Sequence, residues 1–148
     1  MNPREYLDLA DFLIGRSESA SDEARFRTSI SRSYYAIYSA TIELIEGIGF
    51  KLRRDPGGHQ KAIHFLANSG VPEAQELGRI LDTLRDERNA ADYDMSVRGI
   101  DRRAAVRAVV QGRRGLELIV AFDRQRLESG IVAYLTKTNQ LGIYRKTK

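Results

Sequence analysis

Arg88 falls on an apolar seam. Leu77, Leu81, Leu84, Arg88, Ala91 and Met95 recur at alternating steps of four and three, the spacing of one helix face, so a guanidinium stands where an apolar side chain is expected. An unpaired buried charge is very costly, so this arginine must find an anion or a carboxylate. Asp92 is one such partner, because residues four apart share a helix face. A phosphate is the other: a guanidinium stays charged at any relevant pH and grips two oxygens at once. Arg85, one turn before, either extends the same positive strip or is a plain solvated residue, as is Glu87.

Other residue types invite chemistry less directly. Lys51, Arg53 and Arg54 form a basic cluster that is either a solvated loop or a source of salt-sensitive affinity for a phosphate backbone. Arg145, Lys146 and Lys148 admit the same two readings. Tyr34, Tyr35 and Tyr38 are read as core or interface aromatics, with base stacking as the functional alternative. Ser33, Ala36 and Ala40 are small enough to allow close helix approach. His59 and His64, five apart, do not share a helix face, and two histidines alone make a poor metal site.

The elements that must position these groups read as helices. Pro3 opens a short amphipathic helix carrying Tyr6, Leu7, Leu9, Ala10, Leu13 and Ile14, closed by Gly15. Asp22 is expected to cap a long helix with the stripe Phe26, Ile30, Tyr34, Ile37, Thr41, Leu44 and Ile48, ended by Gly47 and Gly49. The Pro56-Gly57-Gly58 breaker predicts an exposed loop before a short helix from His59 to Ala67. Pro72 starts the helix that bears Arg88, and Asp101 is expected to cap another with Val106, Val109, Val110, Leu116, Ile119, Val120 and Phe122. Gly112 and Gly115 inside it cost about 1 kcal/mol each against Ala and therefore suggest close packing or a bend. Past Ser129-Gly130, the β-branched and aromatic run from Ile131 to Tyr144 predicts a small hairpin.

Composition narrows the classes. The 148 residues suffice for one domain with a real core, and 42% hydrophobic with 30% charged residues is ordinary for a globular protein. The absence of cysteine excludes disulfide frameworks, cysteine zinc sites and thiol nucleophiles. The N-terminus lacks the pattern of a signal peptide, and no apolar run approaches the roughly 20 residues that span a bilayer, so a cytoplasmic location without membrane contact is expected. The net charge of +4 and a pI near 9.5 lean toward an anionic partner. No helix-turn-helix signature or P-loop is visible.

Two segments resemble the HEPN superfamily (higher eukaryotes and prokaryotes nucleotide-binding), in the small prokaryotic branch often encoded beside a minimal nucleotidyltransferase. Ser31-Arg32-Ser33-Tyr34-Tyr35-Ala36-Ile37-Tyr38 resembles its serine-arginine-x-tyrosine-tyrosine-alanine core. Leu84-Arg85-Asp86-Glu87-Arg88-Asn89-Ala90-Ala91-Asp92-Tyr93 resembles its arginine, polar residue and alanine-aspartate-tyrosine signature, and the histidine-led short helix between the two also fits. The resemblance covers roughly Asn2 to Glu128 and implies paired bundles sharing a cleft, where an arginine followed four to six residues later by histidine cuts RNA without a metal. Asn89 matches the polar residue after the arginine, but Tyr93 stands where that pattern has histidine. Metal-free RNA cleavage needs a base for a 2′-hydroxyl, an acid for the leaving 5′-oxygen and a cation at the phosphate. Histidine titrates near neutrality, whereas an unperturbed tyrosine has a pKa of about 10.

The expectation is an all-α antiparallel bundle of about five helices over residues 1–128 with an extension at 129–148. The resemblance implies a toxin-like or defence-associated homodimer acting on RNA without a cofactor or metal, with Arg88, Asn89, Asp92 and Tyr93 at the catalytic cleft and Arg85, Lys51, Arg53 and Arg54 on the RNA. The alternative is a non-catalytic module that binds nucleotide, RNA or a nucleotidyltransferase antitoxin partner. A purely structural alternative makes the bundle a dimerisation scaffold whose hairpin docks another chain.

Overall fold

Every described element is a helix because the chain repeats small sets of apolar residues at steps of three and four, separated by Pro, Gly and Asx stops. The computed structural model describes residues 2–15 and 21–147. Its elements are α1 (Pro3–Gly15), α2 (Asp22–Gly47), α3 (Pro56–Ala67), α4 (Pro72–Tyr93), α5 (Arg102–Ala121), α6 (Arg124–Lys137) and α7 (Leu141–Tyr144). Among the described residues there is no strand, only an isolated antiparallel bridge between Phe50 and Arg145. None of the described helices is long and apolar enough to cross a membrane.

The chain divides into two compact units. One takes the chain up to Ser39 together with Ile80–Leu116; the other takes Ala40–Arg79 together with Glu117 onward.

In the first unit, α1 buries Leu7, Ala10 and Ile14, and Ser29 of α2 donates to the Ala10 carbonyl at 2.8 Å. α5 turns its small residues inward. Ala104, Ala105, Ala108 and Val109 are buried, while Val106 and Val110, expected on the core stripe, face solvent. The glycines explain the choice: a Cβ at Gly112 would meet Leu7 Cδ2 at 2.6 Å, and one at Gly115 would meet Ile37 Cδ1 at 3.0 Å. The two positions are close-packing sites rather than a bend. The start of α2 is capped by Ser21, whose Oγ accepts from the Ala24 amide at 3.2 Å, and Asp22 instead pairs with the buried Arg25. Asp101 caps α5 as expected, accepting from the Ala104 amide at 2.9 Å.

In the second unit, α3 starts three residues earlier than expected. Asp55 accepts from the Gly58 amide at 3.0 Å, and Pro56, which lacks an N–H, suits the first helical position. The Pro-Gly-Gly segment therefore begins a helix instead of breaking one. The expected hairpin is a helix as well. Leu127, Ile131 and Leu135 recur every fourth residue and are buried on one face of α6, so a helical stripe outweighs the strand preference of the β-branched residues between them. Asp123 supplies the cap, accepting from the Arg126 amide at 3.1 Å. Gly130 lies inside α6, where a Cβ would stand 1.9 Å from the Ser69 carbonyl oxygen, so it marks close approach and not a helix end. α6 runs through the expected boundary at residues 128 and 129.

Candidate functional site

The end of α4 meets one edge of α2 through Arg88, the Ala90 and Ala91 carbonyls and Asp92. Leu84 and Ala91 are buried, and Arg88 between them is 8% exposed. Its guanidinium carbon lies 5.0 Å from the ring centre of Tyr34, 5.4 Å from that of Tyr35 and 5.3 Å from that of Tyr93. Three aromatic faces thus replace water around a buried cation, which is how an arginine is tolerated on a seam. Arg88 Nη1 donates to the Tyr93 hydroxyl at 3.0 Å, while Nε is buried without a hydrogen-bond partner. Tyr34 packs edge-to-face on Tyr35 and stacks on Tyr38, with ring centres 5.3 and 5.8 Å apart. Burial pushes the Tyr34 phenol above the ordinary tyrosine range, with the neighbouring Arg88 pulling the other way.

Asp92, the expected carboxylate partner, stands 4.0 Å from Arg88 Nε, beyond a hydrogen bond. Its Oδ2 accepts instead from Ser31 Oγ of α2 at 3.0 Å. Asn89 is exposed on α4, and Tyr93 is 73% exposed at its end. Because the Tyr93 oxygen accepts from Arg88, its own hydrogen is free to be donated outward, from a phenol polarised by the cation behind it. The arrangement can therefore offer an anion a hydroxyl donor and a carboxamide donor on a positively charged base. Met95 lies outside the seam, exposed beyond the helix end. Arg85 is half-buried one turn before Arg88.

The structure brings Arg88, Asp92 and Tyr93 together, with Arg85 and Asn89 on the same helix of the same unit. It assigns Lys51, Arg53 and Arg54 to the other unit. There Arg53 pairs with Asp55 at 2.7 Å, Arg54 pairs with Glu46 at 3.0 Å, and Lys51 is exposed. His59 and His64 lie on α3 of that unit too. Among the described residues, no group of three or more His, Asp or Glu side chains is placed to hold a metal ion.

Two contributors, Arg27 and Ser31, were not assigned roles from sequence. With Tyr35 they recur every fourth residue on α2 and form a polar edge beside the apolar stripe, and for Arg27 this spacing is the sequence signal. Arg27 is the most connected of them. Its Nη1 donates to the carbonyls of Ala90, Ala91 and Asp94 at 3.2, 2.9 and 3.0 Å, and its Nη2 donates to that of Val97 at 3.1 Å. These bonds collect the orphan carbonyls at the end of α4 and clamp the backbone on both sides of Tyr93. Glu23 steadies the clamp by accepting from Arg27 Nε at 2.9 Å.

No protein-family model, curated protein or solved structure matches the chain.

Proposed function

We propose that the chain is a HEPN-type protein that acts on RNA as a homodimer, a toxin-like or defence-associated endonuclease that needs no metal. The observation that carries this reading is the buried Arg88 guanidinium held against the exposed phenol of Tyr93. The two segments that resemble the HEPN signatures supply every group of this cluster: Ser31, Tyr34 and Tyr35 from the first, Arg88, Asn89, Asp92 and Tyr93 from the second. In this reading Arg88 provides the charge behind a scissile phosphate, and Asn89 and Tyr93 donate to its oxygens. Asp92 accepts the proton of the attacking 2′-hydroxyl. As the new P–O bond closes a 2′,3′-cyclic phosphate, Tyr93 gives its proton to the departing 5′-oxygen, and solvent exchange restores both groups. Purified protein incubated with total RNA in the presence of EDTA tests it, after scattering has established the oligomeric state. Cleavage that disappears in Arg88→Ala supports the nuclease; RNA left intact by the wild-type dimer sinks it.

One observation favours a second reading, a non-catalytic module that binds RNA, nucleotide or a nucleotidyltransferase partner. Tyr93 takes the place of the expected histidine, and both histidines of the chain belong to the unit without Arg88. Tyr93→His discriminates: a cleft that is otherwise complete gains cleavage with this change, and a module built only for binding does not.

A further inference from the structure

Two basic segments that lie far apart in sequence are joined at one end of the second unit. The Lys51 amide donates to the Tyr144 carbonyl at 2.8 Å and the Lys146 amide to that of Gly49 at 2.9 Å, closing the bridge between Phe50 and Arg145. Beside this bridge is an open cleft of about 490 Å³, walled by the end of α2 at Gly47 and Gly49, by Arg124 and Glu128 of α6, and by Arg145 and Lys146. Three cations face one carboxylate there.

The cations are differently engaged. Lys146 Nζ donates to the Glu46 carbonyl at 3.0 Å. The Arg145 guanidinium lies over the Phe50 ring, 4.9 Å from its centre, and Nη2 is spent on Glu128 at 2.5 Å. Arg145 Nη1, however, is enclosed and has no hydrogen-bond acceptor among the described residues. A Cβ at Gly49 would come within 3.6 Å of this guanidinium, and Gly49 has a φ of 101°, so the glycine both makes the turn and leaves room for the arginine. Arg124 opens α6 and is exposed, with no side-chain ion pair or hydrogen bond among the described residues. It adds its charge at the positive end of the helix dipole.

We propose that this cleft binds a phosphate group, with the exposed Arg124 and Lys146 as its ligands and the enclosed Arg145 as the charge behind them. A tetrahedral oxyanion gives the exposed Arg124 guanidinium a bidentate acceptor and offsets the excess positive charge of the walls. The site belongs to a different unit from Arg88 and stands whether or not that cluster cuts RNA. The phosphate has two possible sources, a small free phosphate or the backbone of a single-stranded RNA.

The test uses the full chain with two probes: inorganic phosphate by calorimetry and a fluorescent oligoribonucleotide by anisotropy across a salt series. Arg124→Gln is expected to weaken whichever probe the wild type binds by roughly tenfold, the value of one charge-assisted contact, and to lower the RNA salt slope by about 1. Loss of phosphate binding alone identifies a free phosphate as the ligand; loss of RNA binding alone identifies the backbone. Arg145→Gln removes the Phe50 stack too, so Lys146→Gln, on an exposed side chain, serves as the second variant. Wild-type affinity for both probes in Arg124→Gln and Lys146→Gln, or no binding by the wild type, overturns the proposal.

Discussion

Ser31 donates its hydroxyl hydrogen to Asp92 across the α2–α4 seam at 3.0 Å, and this bond, more than the distant Arg88, holds the carboxylate in place. Ser31→Ala therefore frees Asp92 to move toward Arg88. The expected loss is about 1 kcal/mol of stability, read from urea denaturation, because a part-buried neutral donor to a carboxylate is removed without leaving a buried charge alone.

Arg88 and Tyr93 differ in what their removal leaves behind. Tyr93→Phe keeps the ring over the guanidinium but takes away the acceptor of Nη1, so a buried donor loses its partner at a cost of about 1–3 kcal/mol. Arg88→Met removes the charge along with its need for partners and is expected to stay within about 1 kcal/mol of wild type or to exceed it. Both variants are expected to lose RNA affinity. Denaturation and anisotropy on the same samples separate folding from binding, and an Arg88→Met protein that binds RNA like wild type contradicts the assignment of the cluster.

Arg27→Ala deserts four carbonyls at the end of α4 and beyond it. Its effect is local as well as global. Amide hydrogen exchange is expected to rise at residues 91–97 well before it rises in α1 or in the middle of α2, since the clamp spans only that segment. Uniform acceleration across the first unit would show that Arg27 supports the fold at large and not the backbone around Tyr93.

The glycines rank themselves by what they touch. A Cβ at Gly58 would stand 1.6 Å from the Arg53 carbonyl oxygen and one at Gly130 1.9 Å from that of Ser69, both backbone atoms. At Gly112 the obstacle is the flexible end of Leu7. Gly58→Ala and Gly130→Ala are expected to cost about 3 kcal/mol or more, and Gly112→Ala about 1 kcal/mol, partly offset by helix propensity. Thermal melts of the three variants check the order.

Glu87 carries a pH signature. Burial raises the pKa of its carboxyl, with Arg107 opposing, so folding disfavours the ionised form relative to the unfolded chain. A raised folded-state pKa contributes stability that is present below the unfolded value, about 4.3 for glutamate, and is lost as pH rises through the folded one. Glu87→Gln is therefore expected to be more stable than wild type at pH 7, with the difference shrinking toward pH 4. Urea midpoints at the two pH values decide it.

How much of this was legible in the sequence depends on the range of the interaction. Seam periodicity identified Arg88 as an anomaly, and proline, glycine and aspartate stops placed most helix ends, because those signals act within one or two turns. What Arg88 meets across the seam was not legible: Ser31, Tyr34 and Tyr35 lie on α2, and nothing local says which face of α2 turns toward α4. The segment from Ile131 to Thr136 misled because its residue types favour a strand while its burial follows the fourfold spacing from Leu127, visible only once the helix is extended back to Asp123. The valines of α5 misled differently. Size suggested they were core, but α1 and α2 approach α5 so closely that alanine and glycine fill that face.

The bridge between Phe50 and Arg145 also bears on the order in which the chain can fold. Lys146 and Glu46 meet across 100 positions of sequence, and Tyr144 lies edge-on to Phe65 with ring centres 5.3 Å apart. During synthesis, Phe50 and Phe65 leave the ribosome long before Tyr144 exists to cover them. The aromatic end of the second unit is thus exposed to chaperones, or to sticking, until the last helix arrives, whereas α1 and α2 can pair through Leu7, Ala10 and Ser29 as soon as both are made.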